Sequence, residues 1–523
     1  MGKKLSNPSI VAILFFGIVA CFSWFANQNG TALPTGDSGS MIISSRALHA
    51  DGEYAWPTYD LTSKGKLETT QFEPNTVWPP ACATLIVALQ KIGFAEVSAV
   101  RIFVAFFAGL TLALVFLLSF KITRLKWLSI FITVSMSLMW NSYYWIIHSF
   151  MPESLYISFT ILVSLAAMRL LEKLKDGKAK IHHFVALGVL TGLTYHIKSA
   201  APAFILSIVL SLYILNRFKD FKISISQGIT FLASIALTAL PWFIRNLMIG
   251  TIGGSGAASQ TPLRDSVFSL LRLFVPRHGS YFENKLTIIF ALLLISMLGL
   301  LVIISVGKSY HKVFQKSYLQ NLLRTTSGKP HKVIPIVYSI SFVAVIFFAI
   351  YIVPKASHIE TRYWMEIYPF AVPVIFGAFI KLSERKKPLV QLITKACMFG
   401  ILGIVVVSNV LEIKRNSSKQ WTLLKSEEAQ AQFRSELCSK LKATSVVRYT
   451  TNYGNQLFAD TGLSYWDVRD STEQIESQTN IYIDFDVDQN KTLSLGSIEP
   501  QIPVDYSFQF QIGDYKIYRR QNQ

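Results

Sequence analysis

Five ionisable residues stand where long apolar stretches of this chain give way to polar ones. They are Asp37 in "TGDSGS", Glu153 in "HSFMPES", Lys198 in "TYHIKSA", Arg245 in "LPWFIRNLMIG" and Arg362 in "HIETRYWMEIYP". Two carboxylates with three fixed cations suit one kind of chemistry. A carboxylate takes the proton from an attacking hydroxyl, which is general-base work. Cations hold a phosphate and stabilise the charge that develops as it leaves. Each residue also has a plainer reading. Asp37, between Gly36 and Gly39, would cap a helix starting at Ser38. Glu153 follows a proline and would sit in a first helical turn, where the helix dipole favours an acid. Lys198, Arg245 and Arg362 could each be a cation reaching along apolar surface to the bilayer edge.

The elements that must position these residues are read from hydropathy. The chain has 523 residues, of which 51% are hydrophobic, and a mean hydropathy of +0.39. Apolar stretches near the length needed to cross about 30 Å of hydrocarbon recur along it. Within the bilayer, backbone polar groups must pair inside each span, so these stretches are helices. The reading places spans at residues 8–26, 97–120, 127–147, 153–171, 183–196, 200–215, 224–243, 287–307, 333–353, 365–380 and 396–411. A further half-length helix, 80–93, is expected along the outer surface. The result is an α-helical polytopic membrane protein of about 11 transmembrane helices.

Charge sets the orientation. With the N-terminus inside, the short inner segments hold 24 Lys and Arg against four acids. The outer loops carry nearly as many acids as bases. The positive-inside rule then puts the N-terminus in the cytoplasm and the tail outside. The same placement explains the net charge of +19 without a nucleic-acid partner. It also places all five candidate residues at the outer membrane surface, three of them cations on the side that the rule depletes. A lipid-linked phosphate would hold its head at that height, with its tail in the bilayer. No P-loop, and no GxGxxG after a strand, marks a nucleotide site.

Residues 1–411 form the expected membrane domain. Within it, 27–80 is a long first extracytoplasmic loop carrying six acids (Asp37, Asp51, Glu53, Asp60, Glu68, Glu73) and three bases (Arg46, Lys64, Lys66). Loops held on a rigid scaffold often carry function, and 51–78 is read as a cover over a cleft. Residues 412–523 change composition. A helical opening, "SEEAQAQFRSELCSKLK", precedes alternating stretches "TSVVRYT", "NIYIDFDV", "YSFQFQI" and "YKIYRR". This predicts a small extracytoplasmic α/β domain. Cys21, Cys82, Cys397 and Cys438 show neither CxxC nor zinc-ligand spacing.

The motif order "GDSGSMIISSRALHADGEY", "WPPACATLIVALQKIGFAEVSAVRI", "GVLTGLTYHIKSA", "LPWFIRNLMIG" and "TRYWMEIYP" resembles the GT-C superfamily of integral-membrane glycosyltransferases. Within it, the chain is similar to the branch of dolichyl-phosphate-mannose protein mannosyltransferases and the lipid A aminoarabinose transferase. The resemblance spans about residues 8–382. It implies a polyprenyl-phosphate-sugar donor, an extracytoplasmic acceptor and inversion at the anomeric carbon. It also implies a multi-pass protein of the bacterial inner membrane.

On this resemblance Asp37 is the general base, Glu153 positions donor or acceptor, and Lys198, Arg245 and Arg362 bind the donor phosphate. The family's first outer loop often carries Asp-Glu; here Asp37 is followed by Ser38, so the second acid is missing. The signature "WWDYG" of whole-glycan transfer to asparagine is absent. Metal use varies across the superfamily, which leaves a divalent metal open, although the sequence shows no strong ligand cluster. Two rivals share the topology: a transporter or lipid flippase, and an inactive binder of lipid-linked sugars. Flippases and transporters usually show internal repeats and mid-membrane charges, and neither is seen here.

Overall fold

The computed structural model describes residues 7–32, 36–61, 67–75, 78–217, 221–249, 330–351, 361–383 and 388–416. In the tail it describes 423–424, scattered helical positions between 428 and 440, and 481–485, 506–512 and 515–520. The expected span 287–307 and the stretch "TSVVRYT" lie outside the described residues. The chain divides into two compact units. One comprises Met1–Phe22, Ala105–Ile147 and Pro152–Ser418; the other comprises Ser23–Val104, His148–Met151 and Lys419–Gln523.

The first unit is helical. Its elements include α1 (Pro8–Ala26) and α4 (Glu96–Thr123), both of which continue into the second unit. Next come α5 (Lys126–Ser137), the short α6 (Trp140–Ser142) running into a π-helix (Tyr143–His148), and α7 (Pro152–Lys175). They are followed by α8 (Ile181–Leu193), α9 (Ala201–Arg217), α10 (Ile225–Met248) and α11 (Pro330–Tyr351). The unit is completed by α12 (Thr361–Trp364), α13 (Tyr368–Ser383) and α14 (Pro388–Asn416). Among the described residues, α1, α4, α7 and α10 are long and apolar enough to cross a bilayer; α5 with α6 makes a fifth if that pair counts as one span.

That pair departs from the expectation of one span over 127–147: its halves are bent by 67°. The break is held by Asn409 of α14, whose Oδ1 accepts from the Trp140 N–H at 2.7 Å. Distant structure thus supplies the partner that an interrupted helix leaves wanting. Elsewhere helix ends follow local rules. Ser224 and Gln227 satisfy each other's backbone N–H at 3.2 and 3.0 Å, a capping box that starts α10. Proline stands at the first position of α7, where its missing N–H is harmless. The first unit's core includes Val11, Ala12, Ala113 and Phe116, with Phe15 and Phe16 packed against them. A second region gathers Phe204, Tyr338, Phe342 and Phe370.

In the second unit, the described parts of 27–80 include a helix and a hairpin. Residues Gly36–Ala50 form α2, and β2 (Ala55–Leu61) pairs antiparallel with β3 (Leu67–Pro74) as a hairpin. The helix begins at Gly36, so Asp37 lies in its first turn and does not cap a helix starting at Ser38. Polar as it reads, α2 is buried at Ser38, Ser40, Met41, Ile42, Ile43, Ser44, Ser45 and Ala47. Serines can be buried there because they find partners nearby. Ser38 Oγ donates to Met151 Sδ at 3.0 Å, Ser45 Oγ to the Ile42 carbonyl at 2.7 Å, and Ser44 Oγ accepts from Asn75 at 2.8 Å.

Arg46 clamps Glu96 with two bonds of 2.7 Å, tying α2 to the start of α4. The predicted helix at 80–93 is present as α3 (Ala81–Lys91). The two-residue strand β1 (Thr31–Ala32) pairs with β4 (Leu423–Leu424). Farther along the tail, β5 (Ile481–Phe485), β6 (Tyr506–Ile512) and β7 (Tyr515–Arg520) form an antiparallel sheet in the order β5-β7-β6.

Candidate active site

Three of the five residues singled out in the sequence meet in the first unit. Glu153 is the second residue of α7, and α7 is fixed to α4 there. Thr111 Oγ1 donates to the Ser154 carbonyl at 2.9 Å and shares a 2.8 Å hydrogen bond with Ser158 Oγ. Lys198 follows α8 through one 3₁₀ turn (Thr194–His196), and its carbonyl accepts from the Ala201 N–H at 3.1 Å where α9 begins. Arg362 is carried by α12.

The three are joined by a residue that sequence reasoning did not single out. Glu366 sits in the turn between α12 and α13, flanked by buried Met365 and Ile367. Tyr368, two residues on, shares a 2.5 Å hydrogen bond with Ser135 of α5 and pins that turn. The signal was present in "TRYWMEIYP", where the acid stands four residues after Arg362.

Lys198 Nζ donates to Glu153 Oε1 at 3.0 Å and to Glu366 Oε1 at 2.5 Å. Arg362 Nε lies 3.8 Å from the same Glu153 oxygen, with its guanidinium 5.4 Å from the Trp145 ring centroid. The Tyr156 ring stands 5.8 Å from the lysine nitrogen. All four charged residues are at least nine-tenths buried, with exposures of 1% for Glu153, 3% for Lys198, 5% for Arg362 and 0% for Glu366. Lys198 and Arg362 are therefore not cations reaching out to a bilayer edge. Two negative and two positive charges balance, as burial demands, because an unpaired buried charge is strongly unfavourable. Among the described residues, Oε2 of both Glu153 and Glu366 lacks a hydrogen-bond partner. Buried oxygens of that kind are uncommon and suit a partner that arrives from outside.

Arg245 and Asp37 are placed otherwise. The contacts described for Arg245 run within α10: its guanidinium lies 4.9 Å from the Trp242 ring centroid and donates to Asn246 Oδ1 at 3.2 Å. Asp37 belongs to the second unit, in the first turn of α2. Among the described residues no three His, Cys, Asp or Glu side chains come together as metal ligands. The Glu153–Glu366 pair is bridged by an ammonium, which does not fit a divalent ion, so no step is assigned to a metal.

No protein-family model matches the sequence, and no curated protein sequence matches it. Solved structures do. ArnT from Cupriavidus metallidurans in the apo state matches with a TM-score of 0.52 at 12% identity, over 98% of each chain. The same protein bound to undecaprenyl phosphate gives 0.50 at 13% identity, over 97% of each chain. The apo oligosaccharyltransferase of Archaeoglobus fulgidus gives 0.48 at 11% identity, over 91% of this chain and 69% of that one. At such identities the likeness is one of fold. The fold is like that of ArnT, and the likeness extends over nearly the whole length of both chains. The described residues are mostly helical, and several of their helices are long and apolar enough to cross a membrane.

Proposed function

We propose that this protein is a glycosyltransferase that moves a single sugar from a polyprenyl phosphate to an extracytoplasmic acceptor: a glycolipid, a glycan or a protein. One observation carries the reading. A chain with the full-length fold of ArnT, which binds undecaprenyl phosphate, buries Lys198 and Arg362 beside two carboxylates. The protein sits in a bacterial inner membrane, with its N-terminus in the cytoplasm and residues 412–523 outside.

The acceptor hydroxyl oxygen attacks the anomeric carbon, forming the new glycosidic bond with inversion. The bond from that carbon to the phosphate oxygen breaks, and polyprenyl phosphate leaves with the electron pair. Asp37 takes the hydroxyl proton. Lys198 and Arg362, with Arg245, meet the phosphate and the charge that grows on it. Glu153 orients donor or acceptor.

The test compares the envelope glycans of cells with and without the protein. One glycolipid or glycan should lose one sugar, and wild-type protein but not an Asp37→Asn variant should restore it. Unchanged glycans with lipid-linked sugar trapped on the inner leaflet would replace this reading with a flippase.

A further inference from the structure

We propose that Glu366 competes with the donor phosphate for Lys198 and so sets how tightly the site holds a polyprenyl phosphate. This rests on the reading above, that Lys198 and Arg362 receive that phosphate. The ammonium of Lys198 already lies between two carboxylates, at 3.0 Å from Glu153 and 2.5 Å from Glu366. With Arg362 the group holds two charges of each sign in a buried place. Arg245 apart, an arriving phosphate meets a buried group of four residues whose own charges cancel. It can reach Lys198 well only by weakening the hold of a carboxylate.

Glu366 is the carboxylate that holds Lys198 more closely, at 2.5 Å against 3.0 Å for Glu153, so its charge weighs most on the ammonium. Oε2 of each carboxylate has no hydrogen-bond partner among the described residues. A site balanced in this way keeps its cations paired when empty and releases its phosphate product readily. Product release limits many enzymes. Removing the charge of Glu366 leaves one carboxylate against two cations, a site with net positive charge. The opposite view, that Glu366 merely aims Lys198 at the phosphate, predicts the opposite sign.

The experiment titrates a short-chain polyprenyl phosphate into full-length protein in detergent and compares wild type with Glu366→Gln. Binding should tighten roughly tenfold or more in the variant, the scale of one charge-assisted hydrogen bond. KM for the donor and kcat should fall together as product release slows. Equal or weaker binding by Glu366→Gln, with wild type binding normally, overturns the competition and leaves the glycosyltransferase reading intact. No binding by either protein overturns the phosphate assignment itself. Should the Gln variant not fold, Glu366→Asp keeps the charge but shortens its reach and must bind more tightly than wild type. An Asp variant at or below wild-type affinity also overturns the proposal.

Discussion

A Cβ added at Gly192 would stand 2.8 Å from the carbonyl oxygen of Ile235, closer than real side chains approach a backbone. One turn earlier, a Cβ on Gly188 would meet the Phe231 carbonyl at 2.6 Å. The two glycines, spaced by three residues, let α8 and α10 come together backbone to backbone. Small residues at this spacing are a common means of close helix packing in bilayers. Just past Gly192, His196 Nε2 donates to the Thr238 carbonyl at 2.7 Å. Lys198 follows two residues later. The close approach therefore fixes the chain at the point where the lysine leaves for the ion cluster.

Gly192→Ala should destabilise the protein by about 1–3 kcal/mol, the usual range for overpacking a tight contact. It should also lower transfer activity by shifting Lys198. Gly228, on the same α10, has nothing within 4 Å of an added Cβ, so Gly228→Ala should be neutral or slightly stabilising. Thermal unfolding in detergent distinguishes the two. Equal melting temperatures for both variants would mean that the α8–α10 contact does not set the frame.

Much of this frame is legible in the sequence, because long apolar runs specify helices almost directly. Helices α1, α4, α7 and α10 fall close to where hydropathy alone puts them. The break between α5 and α6 is not legible. The run "WLSIFITVSMSLMWNSYYWIIH" contains no proline or glycine, and the break rests on Asn409, far along the chain. The helix and hairpin within 27–80 are hidden for a different reason. Serines and a few charges look like a solvated loop until Met151, Asn75 and Glu96 supply partners for Ser38, Ser44 and Arg46. At the candidate site, Glu153, Lys198 and Arg362 announce themselves as charges beside apolar stretches. Glu366 does not, because its meaning comes from a lysine 168 residues away.

Orientation rests on the imbalance of 24 bases to four acids in the inner segments. Two exposed positions test it. Glu53 follows α2, and Lys178 lies in the turn between α7 and α8. In a cysteine-free background, Glu53→Cys should react with a membrane-impermeant thiol reagent in intact cells with permeabilised outer membranes. Lys178→Cys should react only after the inner membrane is opened. The reverse pattern would invert the topology and remove Asp37 from the outer surface.

Asp37 is the proposed general base. As the second residue of α2 it lies in a first helical turn, where the helix dipole stabilises a negative charge by about 0.3–1 kcal/mol. Replacement by Asn gives up that modest stabilisation, so the variant should fold and insert normally, with a melting temperature only slightly lowered. It keeps the size of the side chain and removes its basicity. Loss of a general base costs about 10²–10⁴ in rate, so transfer should nearly vanish. The proposed phosphate ligands are Lys198, Arg245 and Arg362, not Asp37, so affinity for a polyprenyl phosphate should stay at the wild-type value. Initial rates and a binding isotherm on the same preparation separate the two effects. Full transfer by Asp37→Asn would end the base assignment, and a large loss of stability with it would make Asp37 a helix-start residue.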